Sequence, residues 1–200
     1  MSAAPTKRLT LHEYFAIERA APFKSEYFDG EMFAMAGANS AHNFIKDNLI
    51  LELGIRLKGG LCRTVSSDQR LKVELTGLVT YPDIMIICGE VQVVSDDKDT
   101  IKNPVAIIEV LSPSTERYDR TTKFRNYQKI DSLKEYVLVA QDEPLCDRYV
   151  RQSDGSWALV SFDEMTAELI FTSVEARIPL VDIYAGVVFP PSTSTEKASP

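Results

Sequence analysis

One stretch of the sequence, residues 104–111 (PVAIIEVL), is apolar at every position except Glu109. So few polar residues are typical of a central strand that is covered on both faces. After a turn and a helical pattern that starts at Ser114 or Thr115, a second apolar segment follows at residues 135–140. A strand, a helix and a strand with tight connections form a βαβ unit, so the two strands are expected to be parallel, with a right-handed crossover. The pattern therefore predicts an α/β fold around a central sheet.

The beginning of the chain carries signals for a helix and a hairpin. Thr10 and Glu13 have the spacing of a capping box at the start of a first, short helix. Asp29-Gly30 predicts a tight hairpin turn within residues 26–33, because both central residues of a type I′ turn need a positive φ.

The middle and the end of the chain are expected to be richer in strands. Asn39 or Ser40 is expected to cap a longer helix, whose apolar residues recur at the spacing of one buried face. These apolar residues are Phe44, Ile45, Leu49, Leu53 and Leu57. Strands are expected at 61–65, 70–75 and 84–88, a hairpin at 147–151 and 157–160, and a β segment at 170–178 before a final turn at 181–184. The acidic run 95–99 is expected to be a solvated loop.

Length and composition favour one globular domain. The 200 residues are 44% hydrophobic and 26% charged, so we expect a domain over 9–189, a tail at 1–8 and a disordered Ser-, Thr- and Pro-rich tail at 190–200. No apolar run reaches the roughly 18 residues of a membrane span and no signal peptide is visible, so a cytoplasmic protein without membrane association is expected. The net charge of −7 argues against a general DNA-coating protein, although it leaves a nuclease with local basic groups possible.

The cysteine pattern argues against a structural zinc site. Cys62, Cys88 and Cys146 are scattered without CxxC spacing, and the chain has only two histidines. Cys62 and Cys88 lie in apolar runs, so they are expected to be small core residues in a reducing compartment.

Two carboxylates interrupt apolar surroundings. Asp83 immediately precedes the apolar run 84–87, and Glu109 lies inside its own strand. Burial of an ionised carboxylate costs several kcal/mol unless it is paired or bound to a metal. Glu109 could simply reach solvent or an arginine at the end of its strand. Alternatively, Asp83 and Glu109 converge on Mg²⁺ or Mn²⁺, which can activate water for phosphodiester hydrolysis.

The same residues carry a resemblance to a known superfamily. Pro82-Asp83 followed by Glu109-Val110-Leu111 resembles the PD-(D/E)XK nuclease motif. The longer string 109–115, with Tyr118-Asp119, Lys123 and Tyr127, is similar to the Uma-two family of restriction-endonuclease-like proteins. Further matching features are Phe28-Asp29-Gly30-Glu31, Met35-Ala36-Gly37, His42, Asp68 and Glu135-Tyr136, so that the resemblance covers about residues 9–188.

The resemblance implies both a fold and a function. The expected fold is a restriction-endonuclease-like α/β core, with a central mixed β-sheet flanked by helices and an additional C-terminal β-hairpin. The expected function is metal-dependent endonuclease action on DNA, with Mg²⁺ or Mn²⁺ held by Asp83, Glu109 and the Val110 backbone carbonyl. A homodimer is also expected, because the superfamily often cuts as dimers and two-fold pairing is the commonest oligomer.

One motif position departs from the superfamily pattern. Leu111 stands where a catalytic lysine is expected, and Lys123 on the following helix fits the place of the lysine in Uma-two sequences. Asp119, Lys123 and Tyr127 would share one helix face at i, i+4 and i+8 spacing, which could return the ammonium to Glu109. The alternative is an ordinary exposed Asp119–Lys123 pair, worth about 0.3–0.5 kcal/mol.

Four further residues are auxiliary candidates. His42 could be a base or a phosphate contact at a helix start, where backbone N–H groups can bind anions, or it could be structural. Glu31 could be an additional acidic ligand, Asp68 could bridge metal and lysine, and Tyr127 lies on the face of Lys123. Glu26 is expected to be structural. A basic region beside the site could contact phosphates; it comprises Arg117, Arg120, Lys123, Arg125, Lys129 and Lys134.

A second function class stays open on the sequence. A catalytically inactive, nuclease-like binding or regulatory module is favoured by Leu111, by the acidic net charge and by the lack of a visible base-reading domain. The retained Asp83, Glu109 and Lys123 argue against it, because buried charges are costly to keep. The position of the Lys123 ammonium relative to Glu109 discriminates between the two classes.

Overall fold

The predicted βαβ unit lies at the centre of the fold in the computed structural model, which describes residues 8–35, 37–95 and 97–191. The predicted tails therefore lie outside the described residues, except for residue 8 and residues 190–191. The strands are β1 (Ser25–Phe28), β2 (Glu31–Ala34), β3 (Cys62–Ser66), β4 (Arg70–Lys72), β5 (Val79–Thr80), β6 (Ile84–Cys88), β7 (Val93–Val94), β8 (Asp97–Ile101), β9 (Ala106–Val110), β10 (Glu135–Val139), β11 (Cys146–Arg151), β12 (Trp157–Phe162), β13 (Glu168–Phe171) and β14 (Ala176–Pro179). The helices are α1 (Leu11–Ala20), α2 (Ser40–Leu57), α3 (Glu116–Tyr118), α4 (Phe124–Tyr127) and α5 (Leu180–Ile183), with a π-helical turn (Asp119–Lys123) that joins α3 to α4.

The central sheet has six strands in the order β12-β11-β10-β9-β6-β3. β9 and β10 are parallel, as predicted, and the other neighbouring pairs are antiparallel. Ile108 and Val110 pack with the core side chains of α2, whereas Ile107 and Leu111 pack with Tyr127 from α4 on the other side. Since alternate residues of a strand face opposite sides, Glu109 belongs to the side of the helical segment 116–127.

A second six-stranded sheet, β2-β1-β5-β4-β8-β7, lies beside the central one. It was not predicted as a separate sheet, because β5 and β7 have only two residues each and their pairing is long-range. The predicted solvated loop at 95–99 is wrong, since β8 begins at Asp97. Asp97 is buried and forms ion pairs with Arg19 and Arg70, which compensate for its desolvation.

The helix starts follow the predicted caps. Thr10 and Glu13 form a complete capping box on α1, and the Asn39 side chain accepts a hydrogen bond from the backbone N–H of His42 at the start of α2. The predicted core positions of α2 are buried, with one exception. Phe44 is 50% exposed, because it lies about 100° around the helix from Ile45 and so outside the buried stripe.

Two further predictions are corrected near the sheet edge and the C-terminus. Cys62 and Cys88 lie directly opposite each other in the β3–β6 pair and form a disulfide, so they are not the two reduced core residues that were expected. The expectation failed because the sequence does not reveal this register. The β segment at 170–178 is a hairpin, β13–β14, and the final turn is the short helix α5. No helix of the described ranges is both long and apolar enough to cross a membrane.

Candidate active site

Asp83 and Glu109 face each other across the β6–β9 pair. Ile84 pairs with Ile108, so one further step in the antiparallel register brings residue 83 opposite residue 109. The Asp83 backbone N–H donates to Glu109 Oε2 (3.1 Å), and the Val110 N–H donates to Asp83 Oδ2 (2.8 Å). The main chain of each strand thus fixes a carboxylate of the other strand. The alternative that Glu109 reaches solvent is wrong, because its side chain is only 4% exposed.

The helical segment brings Lys123 to this carboxylate pair. Lys123 Nζ lies 3.1 Å from Glu109 Oε1 and 3.1 Å from Asp119 Oδ1, and its side chain is 7% exposed. The alternative of an exposed Asp119–Lys123 pair is therefore wrong. Lys123 ends the π-helical turn, and such turns occur frequently at functional sites.

Glu26 is the site residue that the sequence prediction missed. Its Oε1 atom lies 3.5 Å from Lys123 Nζ and accepts a hydrogen bond from the Thr80 hydroxyl. It is a buried acid that follows Ser25 in β1 and precedes the apolar residues Tyr27 and Phe28. That signal could have found it, although only the pairing of β1 with β5 brings it near the lysine.

The buried charges of the site do not balance. Glu26, Glu109 and Asp119 surround the single ammonium of Lys123, and Asp83 adds a fourth carboxylate. Desolvation raises the pKa of Glu109 to about 8, although Lys123 lowers it. Burial also raises the pKa of Asp119, against the attraction of the lysine. Burial alone would lower the pKa of Lys123, but the attraction of Glu109, Asp119 and Glu26 raises it well above its usual value.

His42 contacts the site through Asp83. Its Nε2 atom lies 3.1 Å from Asp83 Oδ2, and its Nδ1 atom is buried without a hydrogen-bond partner among the described residues. Burial opposes ionisation of Asp83, but the hydrogen bond and the charge of His42, followed by the Val110 N–H, hold the pKa of Asp83 below its usual value. His42 thus stabilises an ionised carboxylate, and its own backbone N–H is used by Asn39.

Of the other three auxiliary candidates, Tyr127 contacts the site, whereas Glu31 and Asp68 do not. The Tyr127 hydroxyl donates to Glu109 Oε1 (2.8 Å), so this residue joins the site. Glu31 is exposed at the start of β2 and does not line the cavity described below. Asp68 is exposed and forms an ion pair with Lys24, so no contact joins it to Lys123 or Asp83.

A cavity of about 880 Å³ opens over these groups. Asp83, Glu109, Val110 and Lys123 form part of its wall. Its remaining wall includes aromatic side chains, one lysine that immediately precedes β1 and one lysine on α2. These residues are Phe23, Lys24, Phe28, Phe33, Lys46, Tyr81 and Tyr118. The two carboxylates and the ammonium therefore lie in the wall of a partly apolar cavity.

The donor set fits a hard divalent cation with few protein ligands. Among the described residues no group of three or more His, Cys, Asp or Glu side chains is arranged to hold a metal ion. Mg²⁺, however, commonly takes one or two carboxylates and keeps several waters. A carboxylate offers about four acceptor positions, and the donors found on Asp83 and Glu109 leave positions open on both. The excess of negative charge also favours a cation here.

The mixed sheet with its flanking helices places the chain in the restriction-endonuclease-like class of α/β proteins. The chain belongs to the Uma2 family, described as "Putative restriction endonuclease", whose family model matches residues 11–179. The predicted resemblance to the Uma-two family is thereby confirmed.

Similar proteins cover nearly the whole chain. The uncharacterized protein slr1290 of Synechocystis is 34% identical over 189 residues, which are 94% of this chain and 97% of that protein. A second uncharacterized Synechocystis protein, sll1609, is 34% identical over 172 residues, 86% of this chain and 97% of that protein. The crystal structure of a "putative nuclease belonging to DUF820" from Anabaena variabilis matches with a TM-score of 0.72 and 19% identity, over 90% of this chain and 99% of that one. This likeness confirms the predicted fold.

Proposed function

We propose that this chain is a metal-dependent endonuclease that hydrolyses phosphodiester bonds in DNA. The observation that carries the proposal is the 3.1 Å contact between Lys123 Nζ and Glu109 Oε1, beside Asp83 on the neighbouring strand. Two carboxylates and a lysine at the base of one cavity are the groups that such hydrolysis needs. The description of the family as putative restriction endonucleases, and the likeness to a structure described as a putative nuclease, support the same class of reaction.

Asp83, Glu109 and the backbone carbonyl of Val110 are the proposed ligands of Mg²⁺ or Mn²⁺. When bound, such an ion lowers the pKa of a water and stabilises negative charge on the phosphoryl oxygens. The hydrogen bonds from the Val110 N–H and from His42 keep Asp83 ionised and fixed. The Tyr127 hydroxyl donates a hydrogen bond to Glu109 and fixes the orientation of its carboxyl group.

Lys123 acts as a positioning and charge-stabilising cation in this proposal. Its ammonium stays protonated, because three carboxylates raise its pKa. It can therefore donate a hydrogen bond to the attacking water and stabilise the negative charge that develops on the pentacovalent phosphate. Asp119 and Glu26 hold the ammonium near Glu109.

An inactive binding module is the second candidate. It is favoured by the net charge of −7 and by the absence of a three-ligand metal cluster among the described residues. In that case the contact between Lys123 and Glu109 would be a structural ion pair. A cleavage assay separates the two candidates.

The test is cleavage of a closed circular single-stranded DNA, and of labelled linear DNAs both single-stranded and duplex, with Mg²⁺, with Mn²⁺ or with a chelator. The native chain is compared with Asp83→Ala, Glu109→Ala and Lys123→Ala, and Glu31→Gln serves as an acidic control outside the cavity. We expect metal-dependent opening of the circle, lost in all three site variants and kept in the control. Activity that survives Glu109→Ala would reveal a contaminant, and an inactive native chain that still binds DNA would favour the binding module.

The homodimer stays part of the proposal. A two-fold assembly would present two such sites to one DNA, and light scattering of the native chain measures its mass in solution. A mass near 22.4 kDa would contradict it.

A further inference from the structure

Two exposed phenylalanines stand at the cavity that leads to the carboxylates. Phe23, in the segment before β1, and Phe33, on β2, both line the cavity, and they are 60% and 48% exposed. Phe33 lies directly opposite Glu26 in the β1–β2 pair. Opposite residues of an antiparallel pair project from the same face, with Cβ atoms about 4.5–5.5 Å apart. The Phe33 ring is thus a neighbour of the carboxylate that contacts Lys123.

The reactive groups lie too deep for a flat approach. The side chains of Glu109 and Lys123 are 4% and 7% exposed, and that of Asp83 is 17% exposed. The phosphate to be cut must therefore enter the cavity, together with the nucleotides attached to it. An unpaired strand can bend into such a cavity, whereas the bases of a duplex are held by the second strand and cannot reach the ring of Phe33.

The cations of the cavity are too few for a binding mode dominated by phosphates. Besides Lys123, the lysines at the cavity are Lys24 and Lys46. Lys24 forms an ion pair with Asp68, whereas Lys46, one helical turn after His42, forms no ion pair within the described ranges. Duplex-binding proteins gain most of their affinity from many phosphate contacts. With a net charge of −7, this chain needs another source of affinity, and stacking of bases on aromatic rings is one.

We propose that the cavity takes an unpaired nucleic-acid strand, with a base stacked on Phe33 and the adjoining phosphate beside Lys46. Phe23 extends the stacking platform to the next base. The inference rests on the proposed function for the fate of the phosphate, but the binding that it describes can be measured without cleavage.

The test uses four fluorescent oligonucleotide probes of one sequence: a DNA strand, its duplex, the ribose form of the strand, and a strand with abasic positions in place of its central bases. Binding is followed by fluorescence anisotropy with and without Mg²⁺, and cleavage is followed on denaturing gels. The proteins are the native chain, Phe33→Ala, Phe33→Trp and Phe44→Ala. Phe44 is an equally exposed phenylalanine, on α2, that does not line the cavity.

We expect the unpaired strand, as DNA or RNA, to bind at least about tenfold more tightly than the duplex and the abasic strand. Loss of one stacking ring typically weakens binding about 5-fold to 150-fold, so Phe33→Ala should do so while Phe33→Trp and Phe44→Ala bind like the native chain. Equal binding of strand and duplex, or binding that is unchanged by Phe33→Ala, would overturn the inference. Strand binding that depends on Phe33 without any cleavage would uphold the inference and contradict the proposed function. Cleavage of the duplex that is equally fast in the native chain and in Phe33→Ala would support the proposed function and contradict the inference.

Discussion

The Nζ atom of Lys123 lies 3.1 Å from Oε1 of Glu109, although the lysine belongs to the helical segment and the glutamate to β9. Leu111, two residues after Glu109, occupies the motif position of the superfamily lysine, and it is buried against Tyr127 in the core. The side chain at position 111 is thus used for core packing. The cation comes instead from Lys123 in the helical segment that covers this face of the sheet. The geometry explains how the motif can lose its lysine while the carboxylate keeps an ammonium partner.

Removal of this ammonium should destabilise the fold in the absence of metal. Lys123→Met leaves Glu26, Glu109 and Asp119 buried without their shared cation. Loss of one partner of a buried ion pair costs about 3–5 kcal/mol. We expect a decrease of that size in the free energy of unfolding, measured by urea denaturation in a chelating buffer at pH 9, where Glu109 of the native chain is ionised.

The double variant Lys123→Met/Glu109→Gln provides the control for this prediction. Removal of one uncompensated carboxylate should recover part of the loss, so the two changes should not be additive. A Lys123→Met chain as stable as the native one would contradict the assignment of a shared buried cation.

Metal binding should release a proton near neutral pH. Burial raises the pKa of Glu109 to about 8, so the metal-free chain carries a proton on this group in much of its population at pH 7. A carboxylate ligand must be deprotonated, and the proton therefore leaves as Mg²⁺ or Mn²⁺ binds. The apparent affinity should rise as the pH increases toward 8 and level off above it.

Calorimetry in two buffers with different ionisation enthalpies measures this proton release. The native chain should show it at pH 7 and lose it at pH 9. The variant Glu109→Gln, which has no proton to release, should show none at either pH. An identical binding enthalpy in both buffers at pH 7 would contradict the raised pKa.

The same shift predicts how the stability of the metal-free chain depends on pH. The pKa of Glu109 rises from 4.5 to about 8 on folding, mainly through desolvation, so the folded chain holds a proton that the unfolded chain releases. The contribution of this group to stability is complete below pH 4.5 and is lost as the pH rises toward 8. Thermal unfolding of the native chain and of Glu109→Gln should therefore diverge as the pH rises, and parallel curves would contradict the prediction.

The hydrogen bond from Tyr127 should lower the pKa of Glu109 relative to a variant that lacks this donor. Its hydroxyl donates to Glu109 Oε1 at 2.8 Å and so favours the ionised carboxylate. In Tyr127→Phe that donor is lost, and we expect the acidic limb of the pH–rate profile to move to higher pH. Tyr149→Phe, a partly buried tyrosine outside the cavity, is the control and should leave the profile unchanged.

Much of the site could be predicted because its signals are local. An acid within an apolar strand marked Glu109, and Asp83 immediately precedes the apolar strand β6. The i, i+4 spacing connected Asp119 with Lys123. Glu26 carries a weaker local signal than Glu109, because Ser25 precedes it in β1, and its role depends on the pairing of β1 with β5, which no local pattern reveals.

In the rest of the fold, too, the sequence did not predict which distant strands pair or in which register. The two-residue strands β5 and β7 have no periodicity to recognise, so the second sheet could not be separated from the first. Asp97 lies in an acidic run that is typical of a solvated loop, and only its contacts with Arg19 and Arg70 permit its burial. The Cys62–Cys88 bond depends on the register of β3 with β6 in the same way.

His42 should act on the reaction through Asp83. Its Nε2 atom lies 3.1 Å from Asp83 Oδ2, so His42→Ala removes a partner that orients a proposed metal ligand. Loss of such a supporting contact typically lowers metal affinity or activity about 10-fold to 100-fold. The exposed His12 is the other histidine of the chain, and His12→Ala is the matched control. We expect a higher metal concentration for half-maximal cleavage in His42→Ala only, with part of the loss recovered at saturating metal. If both histidine variants required the same metal concentration as the native chain, the contact with Asp83 would have no part in ligand orientation.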